Sequence, residues 1–199
     1  LCALGAALAA GPLSAAPGDL PEDHRALAKS TSYDAMAAFL KTVDGKGPVT
    51  VSEEGKTAQG RNVYLVHARG SATATFRVLF YAQQHGDEVS GKDALLYLVR
   101  DIAREPSRLP KDVDLWVMPM MNPDGAEAGT RRNSAGADLN RDHVTLFQPE
   151  TEALHRVARR VRPHLAVDAH EFGRDSEEWT AKGWEKWPDI TMDGLDNPH

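Results

Sequence analysis

The sequence is poor in cysteine, with a single residue of this type, Cys2, among 199 residues. A lone thiol forms no internal disulfide, so the stability of the fold has to come from an apolar core or a bound ion. The hydrophobic fraction of 41% is ordinary for a globular protein and suits one domain with a sizeable core. The apolar run near the N-terminus is too short to span a membrane.

Basic residues are also fewer than acidic residues. Lys and Arg number 23 against 29 Asp and Glu, which gives a formal net charge of -6 at pH 7. Binding to nucleic acid phosphates needs a basic face, so this balance argues against nucleic acid as a general partner.

Two frequent catalytic motifs are absent. No H-E-x-x-H occurs, and the triplet Gly55-Lys56-Thr57 has Thr50 where a phosphate-binding loop requires its first glycine.

The N-terminal segment has the composition of a secretory signal peptide. Residues 1–16 are rich in Ala and Leu, and Ser14-Ala15-Ala16 provides small residues at the spacing of a cleavage site. We therefore predict a partial signal peptide over residues 1–16 and a secreted or periplasmic protein. The structural alternative is a small alanine-rich helix or tail.

Helical and strand patterns alternate along the remaining sequence. Helices are predicted over 32–43, over about 90–104 and over 149–162, and strands over 49–52, 63–67, 76–82, 113–118 and 164–169. We also expect a capping box at Ser90 and Asp93, a turn over Asn122–Gly125 and a loop over 129–140. This alternation predicts an α/β fold with a central mixed, largely parallel sheet flanked by helices, and ligands at the carboxyl ends of the strands.

Three residues at predicted strand ends have the side chains of a zinc site. His85 and Glu88 are three positions apart, after one strand and before a helix. Catalytic zinc takes three protein ligands, often two His and one Glu, and keeps a fourth position for water. The pair alone is more typical of a polar surface turn. His170 ends the last predicted strand and provides the third ligand that such a site needs.

The segment from Arg131 to Arg141 is a polar loop with arginines among small residues. Arginine side chains in such a loop can bind carboxylates or oxyanions through paired N–H groups. Taken alone, the loop is more typical of a solvated surface segment that binds nothing.

Together these segments resemble the zinc metallocarboxypeptidases of the carboxypeptidase A-like superfamily, from about Ser32 to Phe172. The resemblance rests, in the order of the family, on Gly55-Lys-Thr-Ala-Gln-Gly-Arg61, His85-Gly-Asp-Glu88, Asn122-Pro-Asp-Gly125, Arg131-x-Asn133, Asp138-Leu-Asn-Arg141 and Asp168-Ala-His170. It implies that residues 17–199 are the N-terminal part of a single catalytic domain whose fold is incomplete at the C-terminus.

The resemblance also implies roles for individual residues. His85, Glu88 and His170 would bind Zn²⁺, and Asp138 would orient a ligand histidine, as zinc sites commonly require. Arg131 would polarise the scissile carbonyl and stabilise the oxyanion.

The substrate would be a peptide or an acyl-amino acid with a free carboxylate, which Asn140 and Arg141 would hold. The family's general-base glutamate and its specificity residue would fall beyond residue 199, so we expect the 199-residue chain alone to bind zinc weakly or unproductively and not to hydrolyse peptides. Glu171 is a poor candidate for the base, because neighbours on a strand point to opposite faces and His170 is its neighbour.

Other functional interpretations of the sequence are open. Asp87 stands where the digestive members carry an arginine, and Asp142 stands where many members have a second Asn. The nearest rival is an N-acyl-amino-acid deacylase of the aspartoacylase or succinylglutamate desuccinylase type, although Asn122–Gly125 and Gly60-Arg61 look more like the peptidase branch. A peptidoglycan-trimming enzyme and a non-catalytic zinc- or peptide-binding module are the further alternatives.

Overall fold

The computed structural model describes residues 30–171, together with Leu20 and Ala181. Within these residues the helices are α1 (Tyr33–Val43), α2 (Ser90–Arg104), α3 (Pro123–Ala128) and α4 (Pro149–Val161), and the strands are β1 (Val49–Lys56), β2 (Asn62–Arg69), β3 (Phe76–Ala82), β4 (Val113–Met118) and β5 (Leu165–Ala169). Short 3-10 turns occur at Pro106–Arg108 and Leu139–Arg141. The signal peptide predicted over residues 1–16 lies outside the described residues.

The strands of the described residues form one open sheet in the order β1-β2-β4-β3-β5. β2 is antiparallel to β1 and β4, whereas β3 is parallel to β4 and β5. The predicted mixed α/β sheet is therefore confirmed, with parallel pairing confined to the β4-β3-β5 half. β1 and β2 are antiparallel because a short turn joins them, and such a turn reverses the chain. Gly60 makes that turn with φ +84, a conformation that favours glycine.

Helices cover the sheet on both faces. Successive side chains of a strand point to opposite faces, so Val78 and Ala82 of β3 pack with α1 and α2, whereas Leu79 packs with α4. The buried side chains of α1 are Met36, Phe39, Leu40 and Val43, as its apolar spacing predicts. None of the helices in the described part of the chain has the length and apolar character that crossing a bilayer requires.

The segment Asn122–Gly125 begins a helix, and the prediction of a turn there was wrong. Asn122 is the N-cap of α3, and its side-chain oxygen accepts a hydrogen bond from the Gly125 N–H at 2.9 Å. Pro123 occupies the first helical position, where a missing N–H has no cost. Asn followed by Pro starts helices as readily as turns, so the dipeptide does not distinguish the two.

The capping box predicted at the start of α2 was also wrong. The N-cap is Val89, and no side chain of α2 caps the helix. The Ser90 N–H donates instead to Glu171 Oε2 at 3.1 Å, and Asp93 Oδ1 accepts from the Thr31 N–H at 3.2 Å. Tertiary partners thus replace the local cap, and the start of α2 is joined to the end of β5.

Two motifs of the sequence meet at the carboxylate of Asp124. This side chain is fully buried and forms an ion pair with Arg61 at 2.7 Å. It also accepts hydrogen bonds from Thr57 Oγ1 at 2.8 Å, Ser134 Oγ at 2.6 Å and the Gln59 N–H at 3.2 Å. Burial raises the pKa of Asp124, but these hydrogen bonds and the arginine lower it more, so the pKa lies below its ordinary value.

Asp124 is expected to make the stability of the protein depend on pH in acid. A carboxyl whose pKa is lower in the folded than in the unfolded state stabilises the fold above the unfolded value of 3.8, and that contribution is lost as the pH falls through the folded pKa. Asp124→Asn should lower the free energy of unfolding at pH 7 by roughly 1.5–3 kcal/mol and flatten its decline below about pH 4.

Urea unfolding of wild type and variant between pH 3 and 7 measures this effect. Asp112→Asn is the matched control, because Asp112 is exposed on the turn before β4. Equal pH slopes for wild type and Asp124→Asn would contradict the prediction.

Candidate metal centre

His85 lies in a tight turn between β3 and α2. The turn starts at Gln83, which has a positive φ of +56, and the Gln83 side-chain amide donates to the Gly86 carbonyl at 2.8 Å. A Cβ at Gly86 would lie 2.1 Å from the backbone carbon of Gly125, so only glycine allows the turn to pack on the start of α3. This packing buries the His85 ring, which is 3% exposed.

His170 reaches the same edge of the sheet on the neighbouring strand. Ala82 of β3 is the register partner of Ala169 of β5, so the residues after both strands emerge side by side. His85, Glu88 and His170 each offer one ligand atom, and these atoms lie within 4.8 Å of one another. No other group of three or more His, Cys, Asp or Glu residues meets that criterion in the described ranges.

The carboxylate of Glu88 lies between the two imidazole rings. Its Oε1 is 2.6 Å from His85 Nδ1 and its Oε2 is 2.7 Å from His170 Nδ1. Burial raises the pKa of Glu88, but the hydrogen bonds with His170 and His85 lower it more, so this carboxyl is ionised at neutral pH. A carboxylate this close to two ring nitrogens needs a positive species at each contact, either a proton or a metal ion.

Two further carboxylates define which ring nitrogen faces Glu88. Asp138 Oδ1 lies 3.2 Å from His85 Nε2, and Asp168 Oδ2 lies 2.9 Å from His170 Nε2. A carboxylate only accepts, so Nε2 of each ring carries the hydrogen and Nδ1 is directed to Glu88. Two neutral imidazole nitrogens and one carboxylate, each imidazole held by an outer carboxylate, form a donor set that suits zinc.

His170 also binds a proton strongly. Its hydrogen bonds with Asp168 and Glu88 raise the pKa of His170 to about 9. Zinc would have to displace this proton at neutral pH, because only the unprotonated nitrogen is a ligand.

Arg131 lies beside the cluster, as the resemblance implies. Its guanidinium pairs with Asp138 Oδ2 at 3.1 Å, and its Nη1 is 3.2 Å from His85 Nδ1 and 3.8 Å from Glu88 Oε1. His85 Nδ1 thus faces both a carboxylate acceptor and a guanidinium donor, and a single ring nitrogen can serve only one of them. The same lone pair cannot serve Arg131 and zinc together, so bound zinc would leave Arg131 paired with Asp138. The arginine is 47% exposed and thus accessible to a substrate.

Asn140 and Arg141 lie on the 3-10 turn that follows Asp138, and only one of them touches the cluster. Asn140 Nδ2 is 3.3 Å from His170 Nε2. Arg141 is exposed, and its Nη1 donates to the Asn140 carbonyl at 2.9 Å. No hydrogen bond or ion pair joins Arg141 to His85, Glu88 or His170 within the described residues, so its role toward substrate stays a prediction.

Asp142 orders the loop that follows this turn. Its carboxylate accepts from Thr145 Oγ1 at 2.6 Å, from the Phe147 N–H at 3.0 Å and from the Gln148 N–H at 2.9 Å. A neutral Asn offers one acceptor oxygen instead of two, so the departure noted in the sequence has a local structural reason.

Sequence reasoning missed Asp168 and Gln84 as parts of the site. Asp168 Oδ2 accepts from Gln84 Nε2 at 2.6 Å in addition to its contact with His170. The spacing of Asp168 and His170 was a usable signal, because residues two apart on a strand share a face. Glu171 contributes in another way, since its carboxylate accepts from the Ser90 N–H at the start of α2 and its own N–H donates to Glu88 Oε2 at 3.1 Å.

An open α/β sheet with a His-Glu-His cluster at the carboxyl ends of parallel strands has the architecture of a zinc-dependent hydrolase. The family model for zinc carboxypeptidases matches residues 36–173, and the chain belongs to that family. Zinc is the metal of the family, and carboxypeptidase activity on peptides is its function.

Individual relatives agree with this assignment. A probable carboxypeptidase 2 of Trichophyton verrucosum is 28% identical over 174 residues, which are 81% of this chain and 34% of that protein. Carboxypeptidase M of Mus musculus is 33% identical over 150 residues, 61% of this chain and 34% of that protein. The metallo-carboxypeptidase structure from Burkholderia cenocepacia superposes with a TM-score of 0.65 at 30% identity, over 70% of this chain and 40% of that one. The chain thus spans about a third of the length of the two curated relatives.

Proposed function

We propose that this chain carries the zinc-binding and carboxylate-binding part of a metallocarboxypeptidase, which removes C-terminal residues from peptides. The observation that supports it most is the convergence of the ligand atoms of His85, Glu88 and His170 within 4.8 Å. Bound zinc would polarise the scissile carbonyl and lower the pKa of a water molecule.

The chain's own residues would prepare the site for that ion. Asp138 and Asp168 keep the Nε2 hydrogens of the two histidines on the outer side, so that both Nδ1 lone pairs point inward. The buried turn around His85 holds the first ligand without a loss of conformational entropy on binding.

Arg131 would stabilise the negative charge that develops on the substrate. The Asp138 carboxylate fixes one edge of its guanidinium at 3.1 Å, and its exposed remainder can donate to an oxyanion beside the metal. Donors that are fixed before the reaction stabilise charge more than mobile ones, because they need no reorganisation.

The terminal carboxylate of the substrate would bind to Asn140 and Arg141. Asn140 lies at the cluster, and Arg141 is exposed next to it. The relatives reported above are carboxypeptidases by name, which supports a peptide substrate over an acyl-amino acid.

The proposed location is the periplasm or the cell exterior, with residues 1–16 as part of a signal peptide and residues 17–199 as part of one catalytic domain.

A paired hydrolysis assay tests the proposed function. The full-length gene product and the 199-residue chain are each given an N-acyl dipeptide and an N-acyl amino acid, with zinc and with a chelator. We expect the full-length protein to cleave the dipeptide in a chelator-sensitive manner. Preferential cleavage of the acyl amino acid would favour the deacylase, and zinc binding without turnover of either substrate would favour a binding module.

Arg141→Ala is expected to act selectively on substrates with a free C-terminal carboxylate. The variant should raise KM for such a peptide by about 10-fold or more, because a charge-assisted hydrogen bond contributes roughly 1.5–3 kcal/mol. The same peptide with a C-terminal amide should show a much smaller rise in KM. Steady-state kinetics on both peptides measures the difference, and equal losses on the two would remove the carboxylate-binding role of Arg141.

A further inference from the structure

A row of hydrogen bonds leads from His170 away from the cluster and ends on α4. His170 Nε2 contacts Asp168 Oδ2 at 2.9 Å, and Gln84 Nε2 donates to the same oxygen at 2.6 Å. Gln84 Oε1 contacts His143 Nε2 at 2.8 Å, and His143 Nδ1 contacts His155 Nε2 at 3.1 Å. We name these five residues the His170–His155 network. They come from β5 and the residue after it, the turn after β3, the loop after Arg141 and α4.

For a neutral His143 ring the network has one possible direction of hydrogen bonding. The Asp168 carboxylate accepts, so the Gln84 amide must present its NH₂ group to Asp168 and its oxygen to His143. His143 must then carry its hydrogen on Nε2 and accept at Nδ1, and His155 must donate from Nε2. A rotated Gln84 amide would place two oxygens 2.6 Å apart, which excludes the opposite assignment.

Burial makes this arrangement costly to break. Gln84 is 1% exposed, and both ends of its amide are used within the network. Burial lowers the pKa of His155, as do His143 and Arg159, so its ring is neutral near neutral pH and has a single N–H to donate. The contact of Asn140 Nδ2 with His170 Nε2, at 3.3 Å, adds no hydrogen bond, because both atoms are donors here.

We propose that His143 is a positioning residue for the metal centre. It holds the Gln84 amide in one orientation, Gln84 holds the Asp168 carboxylate, and Asp168 holds the His170 ring with its Nδ1 directed to the metal. No hydrogen bond or ion pair joins His143 to the three ligand residues among the described residues. The inference rests on the proposed zinc site and adds a residue to it that neither the zinc ligands nor their direct partners include.

Two substitutions at His143 separate a hydrogen-bonding role from a packing role. His143→Phe keeps a ring but has no donor, so the Gln84 oxygen stays buried without a partner. His143→Gln offers an amide N–H close to the position of Nε2 and should restore the bond. Val144→Ala is the control, because Val144 is the next residue in the same loop and is 93% exposed.

The first measurement is the zinc dissociation constant of the full-length gene product, by competition with a chromophoric chelator. Loss of an outer partner of a metal ligand typically costs about 10–100-fold in affinity, so we expect His143→Phe to weaken binding by about 3–10-fold. His143→Gln and Val144→Ala should stay within about 2-fold of wild type. Equal weakening by Phe and Gln, or none by Phe, would overturn the proposal.

The second measurement is the tautomer of His143 by long-range ¹H–¹⁵N NMR, which needs no metal. We expect the neutral Nε2–H form in the wild-type chain. The Nδ1–H form would contradict the direction of the network and overturn the proposal even if zinc affinity changes. A full-length wild-type protein that shows the expected tautomer but binds no zinc would overturn the proposed zinc site, and the positioning role with it, while the hydrogen-bond network itself would stand.

Discussion

His85→Ala is expected to abolish measurable zinc binding at micromolar metal. Loss of a residue that only orients a ligand costs roughly 10–100-fold in metal affinity, and loss of the ligand itself must cost more. His85 is also the most buried of the three proposed ligands, with a side chain that is 3% exposed against 14% for Glu88 and 19% for His170. Chelator competition measures the affinity, and hydrolysis by the full-length protein should fall with it.

His164→Ala provides the control for this experiment. His164 lies just before β5 and is exposed, and its ring contacts Arg77 and Phe76 at the end of the sheet away from the cluster. The His164→Ala variant should keep wild-type zinc affinity. If both variants bind zinc equally well, the metal is held elsewhere and the His-Glu-His site is wrong.

Arg131→Ala is expected to lower kcat by about 10²–10³-fold, the range observed when one oxyanion donor is removed. KM should change little, because the oxyanion exists only near the transition state. Zinc affinity should not fall, since Nη1 of Arg131 competes with the metal for His85 Nδ1, which lies 3.2 Å away.

Arg132→Ala is a matched variant, because Arg132 is the exposed neighbour of Arg131 and its Nη1 donates to the Gly136 carbonyl at 2.9 Å. It should retain nearly full activity. A loss in Arg131→Ala that appears only in KM would assign this arginine to ground-state binding, and similar losses in both variants would indicate a general charge effect.

The strand-end residues of the site were predictable from sequence because their placement follows from topology. His85 and His170 each follow an apolar strand, and ligands gather where parallel strands end. Asp138 was predictable only through the family resemblance. Its contact with His85 joins residues 53 positions apart, and no local pattern encodes such a distance.

The parts that sequence did not reveal depend on competition between local and distant partners. Ser90 and Asp93 have the spacing of a capping box, but Glu171 and Thr31 take the groups that the box would use. Likewise, His143 and Gln84 have no motif of their own, and only the folded chain brings their side chains within 2.8 Å. Asn122 shows a third case, in which one dipeptide serves both turns and helix starts.

A crystal structure of the zinc-loaded protein, with anomalous data at the zinc edge, tests the central claim most directly. We expect one zinc peak bound by His85 Nδ1, a carboxylate oxygen of Glu88 and His170 Nδ1, with distances of roughly 2.0–2.2 Å. The Nε2 atoms should remain bonded to Asp138 and Asp168, at distances close to the present 3.2 and 2.9 Å. A peak on other residues, or ligation through Nε2 of either histidine, would contradict the proposed site.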